Sequence, residues 1–504
     1  MRLTFMAGAV AAASLTGVFV GPSTAAAQPG GVSASCSIDA NNPKELAMQS
    51  LAFTQAKASQ NPEQRKKALM GIIKELDTKP ERFAKNPAGY QFTLSEALKL
   101  WALEPGMPAT PTRSSLGFVT NPTETIDVVV ALDAAYKAIV AAVPACEADM
   151  KAQRQNEVWL QQTQAALSAS NGGNLDSAEY YAKRSLMLVD NPYPHYVLAN
   201  VSNARGDKKA AVMHWKHVVQ RAGSDTSYRD IVNGSLYYVA MTQLEMASTA
   251  QGADQQTLGK EAAAAFKVLL AASPDSPDAA NYYNGWADAL TLAKDTASIP
   301  QVYAGLLAAP DKATDISLTM AGVIATRANK TDDALKLFEA AVAKNPNNRD
   351  GLRNLAATYY SKDKFKEMFE PTRKLVGIDP NNYDGWMMFA YASQGLGKSA
   401  KLPAEKKAWT DSLVKYQTLA EGMPVKVEVA GFTRGQSNAT LSLALEQVTA
   451  AGTYTITAEF LDEAGAVVAT ATESTGALKK GERKTVEFKA AAPKIYGYRY
   501  KPVK

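Results

Sequence analysis

At 504 residues the chain is long enough for several domains or for one extended repeat array. Its 46% hydrophobic and 20% charged content lies in the globular range and argues against long disordered tails. The formal charge is only +5 and no Lys/Arg block reaches nucleic-acid-binding density, which argues against a nucleic-acid partner.

The N-terminus carries the compartment signal. Arg2 is followed by an uncharged, largely apolar segment to Gly21, then Pro22 and the small run Ala25-Ala26-Ala27 before Gln28. A positive start, an apolar middle and an A-x-A end describe a secretory signal peptide over residues 1–27, cleaved after Ala27. Cleavage removes Arg2 and no acid, so +5 becomes +4. No later segment approaches the roughly 20 apolar residues that span a bilayer, so no transmembrane segment is expected in the mature chain. A periplasmic or secreted location follows.

Residues 28–150 read as an N-terminal helical region. A Pro/Gly/Ser tether ends near Ser35, and Asn42-Pro43-Lys44-Glu45 opens like a capped helix. Leu69, Ile72, Ile73 and Leu76 follow at helical spacing within Gln64 to Asp77, and Leu94 to Leu103 continues the pattern. The Pro/Thr/Ser-rich stretch Glu104 to Thr125 reads as a surface loop, and Ile126 to Val143 as another helix. Cys36 and Cys146 are the chain's two cysteines, and in an oxidising compartment they predict one disulfide, stabilising by roughly 4 to 5 kcal/mol in the chain-entropy model.

From about residue 151 to 422 a helical-hairpin pattern recurs. Ala178 and Ala211 lie 33 residues apart, the latter four before Trp215. Ala262 and Phe266 precede Ser273-Pro274, after a polar insertion near Gln251 to Gln256, and Trp286 to Ala293 is followed by Tyr303 and Pro310. The pattern is clearest where Gly322, Ala334, Phe338 and Ala341 lead to Asn345-Pro346-Asn347-Asn348, and Leu355, Ala356, Tyr359 and Leu375 lead to Asp379-Pro380-Asn381-Asn382. Small residues let paired helices approach, large ones fill the gap to the neighbour, and the Pro-Asn stops end the helices. This pattern resembles the tetratricopeptide repeat. The resemblance implies a mainly α solenoid that binds without chemistry of its own, closed by a last helix, Pro403 to Glu421, whose different pattern suits a cap.

After Met423-Pro424 the period changes to two: Val425 to Val429, Thr453 to Thr457 and Thr485 to Phe488 alternate, with a hairpin turn at Asp462 to Gly465. Short strands over residues 423–504 imply a small all-β sandwich. The run Glu459 to Val468, followed by Leu478-Lys479-Lys480-Gly481-Glu482, is similar to bacterial immunoglobulin-like modules of exported proteins, but lacks their Tyr before Asp462.

Catalytic signals are weak. Ala392-Ser393-Gln394-Gly395-Leu396-Gly397-Lys398-Ser399 satisfies a permissive phosphate-loop pattern but follows a helix instead of a strand, so it reads as a loop between helices. His214 and His217 are spaced as possible metal ligands, with His195 able to approach across the hairpin; two ligands make a poor site, and packing or solvation is the better reading. Asp332-Asp333 suits a helix start. No hydrolase template is matched, and neither cofactor, metal nor enzymatic activity is expected.

In tetratricopeptide arrays the first helix of each pair lines a groove that holds peptides. That register places Tyr193, Tyr196, Asn200, Arg353, Tyr360, Met387 and Tyr391 on the binding face, a composition suited to a protein or peptide partner. Val323 and Ala357 stand where a carboxylate clamp needs Asn, which argues against an acidic C-terminal tail as ligand. The expectation is an exported scaffold. The alternative is glycan or cell-wall binding by the β region, with Tyr496, Tyr498 and Tyr500 alternating on one face and the repeats as spacer.

Overall fold

The computed structural model describes Cys36, Ile38 and residues 52–503. The signal segment, the tether and the helix start at Asn42 lie outside these. The chain forms two compact units that divide at Ser235/Leu236, and each is taken by itself. The fold is mainly α: tetratricopeptide-like helical hairpins, followed by two small antiparallel sheets.

In the first unit, a helical turn at 52–58 precedes α1 (Pro62–Thr78), α2 (Pro87–Leu103) and α3 (Val128–Ala142). Asn61, Asn86 and Asp127 cap their N-termini with side-chain oxygens, as the orphan amides of a first turn require. Leu69, Ile72, Ile73 and Leu76 of α1 are buried with Leu98, Trp101, Leu132, Tyr136 and Ile139. Cys36 and Cys146 are joined within that core, their Cα atoms 4.5 Å apart. The expected loop 104–125 contains a four-residue helix, Arg113–Leu116, and a bridge between Thr112 and Thr125. Its end needs Gly117, at φ +109°, where a Cβ would also collide with the Met70 backbone.

After α4 (Glu147–Arg154) come two hairpins, α5 (Glu157–Asn171) with α6 (Leu175–Leu188), and α7 (Pro192–Ala204) with α8 (Lys208–Ala222). Their first amides are taken by Asn156, Asn174, Asn191 and Asp207. Ala166, Ala178, Ala182, Val197 and Val201 form the core of this stack. The small residues expected to admit a close neighbour are fully buried.

The chain passes through α9 (Arg229–Thr249) into the second unit. This contains α10 (Gly252–Ala272), α11 (Ala279–Leu292), α12 (Ile299–Ala308), α13 (Asp315–Arg327), α14 (Thr331–Lys344), α15 (Arg349–Ser361), α16 (Phe365–Ile378), α17 (Tyr383–Ser399) and α18 (Pro403–Glu421). The helices α13, α15 and α17 start 34 residues apart each time, each behind a capping Thr314, Asn348 or Asn382. Glycines lie where aromatic rings cross them: a Cβ on Gly285, Gly322 or Gly395 would overlap Phe266, Phe338 or Phe365. These contacts give the small-and-large pattern its physical meaning.

One expectation needs correction. The segment Ala392–Ser399 is no loop but the second half of α17, and Gly395 is there to admit the Phe365 ring. The polar stretch 251–256 lies at the start of α10, which begins at Gly252, and its first turn faces solvent.

The β region comprises β1 (Val425–Arg434), β2 (Ala439–Gln447), β3 (Gly452–Leu461), β4 (Val467–Leu478), β5 (Arg483–Ala490) and β6 (Gly497–Tyr500). The strand orders are β1-β2-β5 and β4-β3-β6, all pairs antiparallel. Val427, Leu441, Leu443, Leu445 and Phe488 of one sheet share an apolar cluster with Ile456, Phe460, Tyr498 and Tyr500 of the other. Leu352, Leu375 and Ile378 of the helices belong to the same cluster.

The glycine–aromatic contacts yield opposite expectations for two chemically identical substitutions. Gly322→Ala should destabilise by about 1–3 kcal/mol through overpacking against Phe338, against its helix-propensity gain. Gly305→Ala, in open space on α12, should stabilise by about 0.5–1 kcal/mol. Urea denaturation of both variants checks the pair.

Candidate functional site

The expected groove residues fall in two groups, one in each unit. On α7, Tyr193, Tyr196 and Asn200 are half-buried at a spacing that puts them on one helical face. Tyr193 packs edge-on against Tyr228 at 5.3 Å between ring centroids, and Asn191 donates to the Tyr228 hydroxyl at 2.8 Å. Burial raises the Tyr193 phenol above its ordinary value.

In the second unit, Tyr360 of α15 and Tyr391 of α17 lie 5.7 Å apart, and both remain open to solvent, 46% and 41% exposed. Phe365 closes one side of Tyr360 at 6.0 Å. Met387, one helical turn before Tyr391, is half-buried. Arg353 ties α15 to the first turn of α17 through Asp384 at 3.2 Å. Two consecutive repeats therefore present an aromatic pair flanked by a thioether and an ion pair.

A second constellation went unseen in the sequence. The two Pro-Asn stops do more than end helices: they hold the β region. Asn381 and Val503 exchange two hydrogen bonds, Asn381 Nδ2 to the Val503 carbonyl at 2.9 Å and Val503 N–H to Asn381 Oδ1 at 2.7 Å. The Asn381 carbonyl accepts from Val427 N–H at 3.0 Å. Asp379, fully buried, accepts from the Arg349 guanidinium at 2.9 Å and from the Tyr500 hydroxyl. Burial pushes the Asp379 carboxyl up while Arg349 and Tyr500 pull it back; burial opposes the Arg349 charge, but Asp379 and Asp350 raise its pKa overall. At the preceding stop, Asn345 Nδ2 donates to Asp315 at 2.7 Å and to the Tyr496 carbonyl at 2.9 Å, and Arg434 bonds both Asp315 and that carbonyl.

The only hint available in the sequence was an excess of polarity. A helix start needs one capping Asn, supplied by Asn348 and by Asn382, which leaves Asp379 and Asn381 without a local reason, while Asn345 also accepts from Asn347 N–H at 3.0 Å. The same contacts explain the C-terminal tyrosines. Tyr498 and Tyr500 are 2% exposed, so they present no ring face on which a sugar could stack.

All three histidines of the chain meet in the first unit. His195 Nε2 lies 2.9 Å from Asp190 and its Nδ1 lies 3.1 Å from His214 Nδ1, while His217 stacks on His195 at 4.8 Å. Asp190 also pairs with Arg221 at 2.7 Å. With the proton of His195 held on Nε2 by Asp190, Nδ1 accepts from His214, while His217 Nδ1 is buried without a hydrogen-bond partner. Stacked rings direct their lone pairs along separate planes, and among the described residues no three potential ligands converge on a metal position.

Two expectations follow from these sites. Burial, then His195 and His217, depress His214 to about 4, and burial also lowers His195. Both groups bind protons more readily when unfolded, so their stabilising effect is complete above pH 6.5 and lost as pH falls from about 6.5 towards 4. Thermal melts should show this slope, and His214→Asn should flatten it. Tyr500→Phe should cost about 1.5–3 kcal/mol by leaving Asp379 one donor short. Tyr498→Phe, which removes a buried hydroxyl with no partner, should leave the melting temperature unchanged or raise it. Melting of the two Phe variants side by side checks the contrast.

No family model matches the chain, and no curated protein matches it. Among solved structures it is similar to YrrB, a TPR protein with an unusual peptide-binding site, at 16% identity and TM-score 0.27, covering 39% of this chain and 91% of that one. A tetratricopeptide repeat protein from Parabacteroides merdae gives 13% identity and TM-score 0.28 over 52% and 98% of the two chains. The apo form of RapI gives 11% and 0.28 over 75% and 96%. At these TM-scores the fold assignment rests on the hairpin geometry itself.

Proposed function

We propose that this chain is an exported, non-enzymatic scaffold that holds a protein or peptide partner through the first helices of its repeats. The reading takes residues 1–27 as a cleaved signal, 28–150 as a disulfide-linked helical region, 151–422 as the repeat array and 423–504 as an immunoglobulin-like sandwich. Periplasm or secretion is the compartment. The buried Cys36–Cys146 bond supports export, since such bonds persist in oxidising surroundings. The strand orders β1-β2-β5 and β4-β3-β6 support the sandwich, because they correspond to the A-B-E and C′-C-F halves of the immunoglobulin arrangement.

The observation that carries the binding role is the Tyr360–Tyr391 pair. Aromatic side chains that lie together and stay solvent-exposed on consecutive repeats are available as anchors, and Tyr is enriched where binding energy concentrates. Arg353 and Met387 extend the same surface, and Tyr193, Tyr196 and Asn200 provide a corresponding face on α7.

The test is capture of a partner from envelope extract by the full mature chain, followed by titration of the purified partner against wild type and the Tyr360→Ala/Tyr391→Ala variant. Loss of at least tenfold in affinity, with the melting temperature maintained, is the expected result. Equal affinity for both would remove this surface from the binding role.

A further inference from the structure

The sheet edge beside α13 is incomplete. Val427 turns its backbone away from β2: its N–H donates to the Asn381 carbonyl at 3.0 Å, and the Asn382 side chain reaches its carbonyl at 3.4 Å. The two-residue alternation of an antiparallel pair sends the backbone groups of Val429 the same way. A bulge between Val429 and Gly431 resets the alternation, so the next outward residue is Phe432. At Arg434 the edge closes again on Asp315. Among the described residues, the stretch Val429 to Phe432 has no backbone partner on that side.

This open stretch faces a cavity of about 340 Å³ in the second unit, across which stand Ile316, Met320 and Val323 of α13. Tyr496 and Tyr498 also line it, with the Tyr498 ring against Phe432 at 4.7 Å. The cleft therefore has an unpaired β edge on one side and apolar side chains on the other. Its charges are already matched: Arg434 with Asp315, and Arg349 with Asp379 and Asp350.

We propose that this cleft takes a short, uncharged, extended peptide segment as an added strand on β1, with one or two apolar side chains laid on Ile316, Met320 and Val323. Alternating unpaired N–H and C=O groups are matched by another extended backbone and by little else, and such strand addition is a known mode of peptide capture. Paired charges at both ends leave no unmatched ion for a charged ligand to meet. The proposal rests on the peptide-binding reading above for the class of partner, but not on the Tyr360–Tyr391 surface. Gly431 offers a clean probe, since a Cβ there meets nothing within 4 Å and its backbone does not need a positive φ.

The experiment titrates a fluorescein-labelled, end-blocked octapeptide of alternating Thr and Val into the full mature chain, read by anisotropy and by amide exchange. Expected are saturable binding below 1 mM, slowed exchange over 429–434, and at least tenfold weaker binding to Gly431→Val and to Met320→Ala. The same peptide N-methylated at alternate residues should not bind, and Tyr360→Ala/Tyr391→Ala should bind as wild type. Absence of binding, equal binding by the N-methylated peptide, or binding untouched by both cleft variants would overturn the proposal. Loss of binding in the Tyr360→Ala/Tyr391→Ala variant alone would move the peptide to the aromatic surface, overturning the cleft while leaving the scaffold reading in place. Melting curves of the cleft variants separate occlusion from unfolding.

Discussion

The arrangement of the second unit depends on one buried charge. Asp379 has no exposed surface, and an isolated carboxylate in that position would be untenable. It is tolerated because Arg349, from the start of the preceding repeat, and Tyr500, from the last strand, arrive together to satisfy it. The three groups come from a helix start, a helix stop and a strand end far apart in sequence, so their meeting specifies which repeat the sheets rest on. A buried ion pair adds little net stability over apolar packing of the same shape. Its place in the fold is fixed by two partners, Arg349 from a helix and Tyr500 from a strand.

Seen this way, the Pro-Asn stops have two duties within a few residues. Asn348 and Asn382 spend their side-chain oxygens on the first turns of α15 and α17. Asn345 instead donates its Nδ2 to the Tyr496 carbonyl, and Asn381 both donates to and accepts from the Val503 backbone. The amide side chain suits both duties because it carries donor and acceptor together and can stand in for a peptide group. Asn381 does so towards Val503, exchanging the same pair of bonds a neighbouring strand would make.

Much of this fold was legible in the sequence for local reasons. Helix starts, the glycine–aromatic complementarity of Gly322 with Phe338, and the alternation from Val425 to Val429 are decided by residues near one another or one repeat apart. The bounds of α18 were readable because Pro403 opens it and the Gly422-Met423-Pro424 run ends it. The misreading of Ala392–Ser399 has a distant cause: Gly395 and Gly397 look like loop residues until the rings of Phe365 and the side chain of Trp409 are placed against them. The docking residues were hidden likewise, since Asp315 and Arg434 are over a hundred positions apart, as are Asp379 and Tyr500. For the proposed binding face, helical register brought Tyr360 to Tyr391, but could not show that Arg353 would be engaged by Asp384.

The joint between the last helix and the first strand has a mechanical side. Only Gly422, Met423 and Pro424 separate α18 from β1, Met423 is buried, and the sheets are bonded to the two preceding helix stops. A tether this short cannot pay out under tension. Force applied through the strands would load the Asn381–Val503 and Asp379–Tyr500 bonds and pass to the helices they join with little slack. The sheets are thus fitted to act as a rigid bracket on the end of the array, handing a pull directly to the helices instead of swinging free on a flexible stalk.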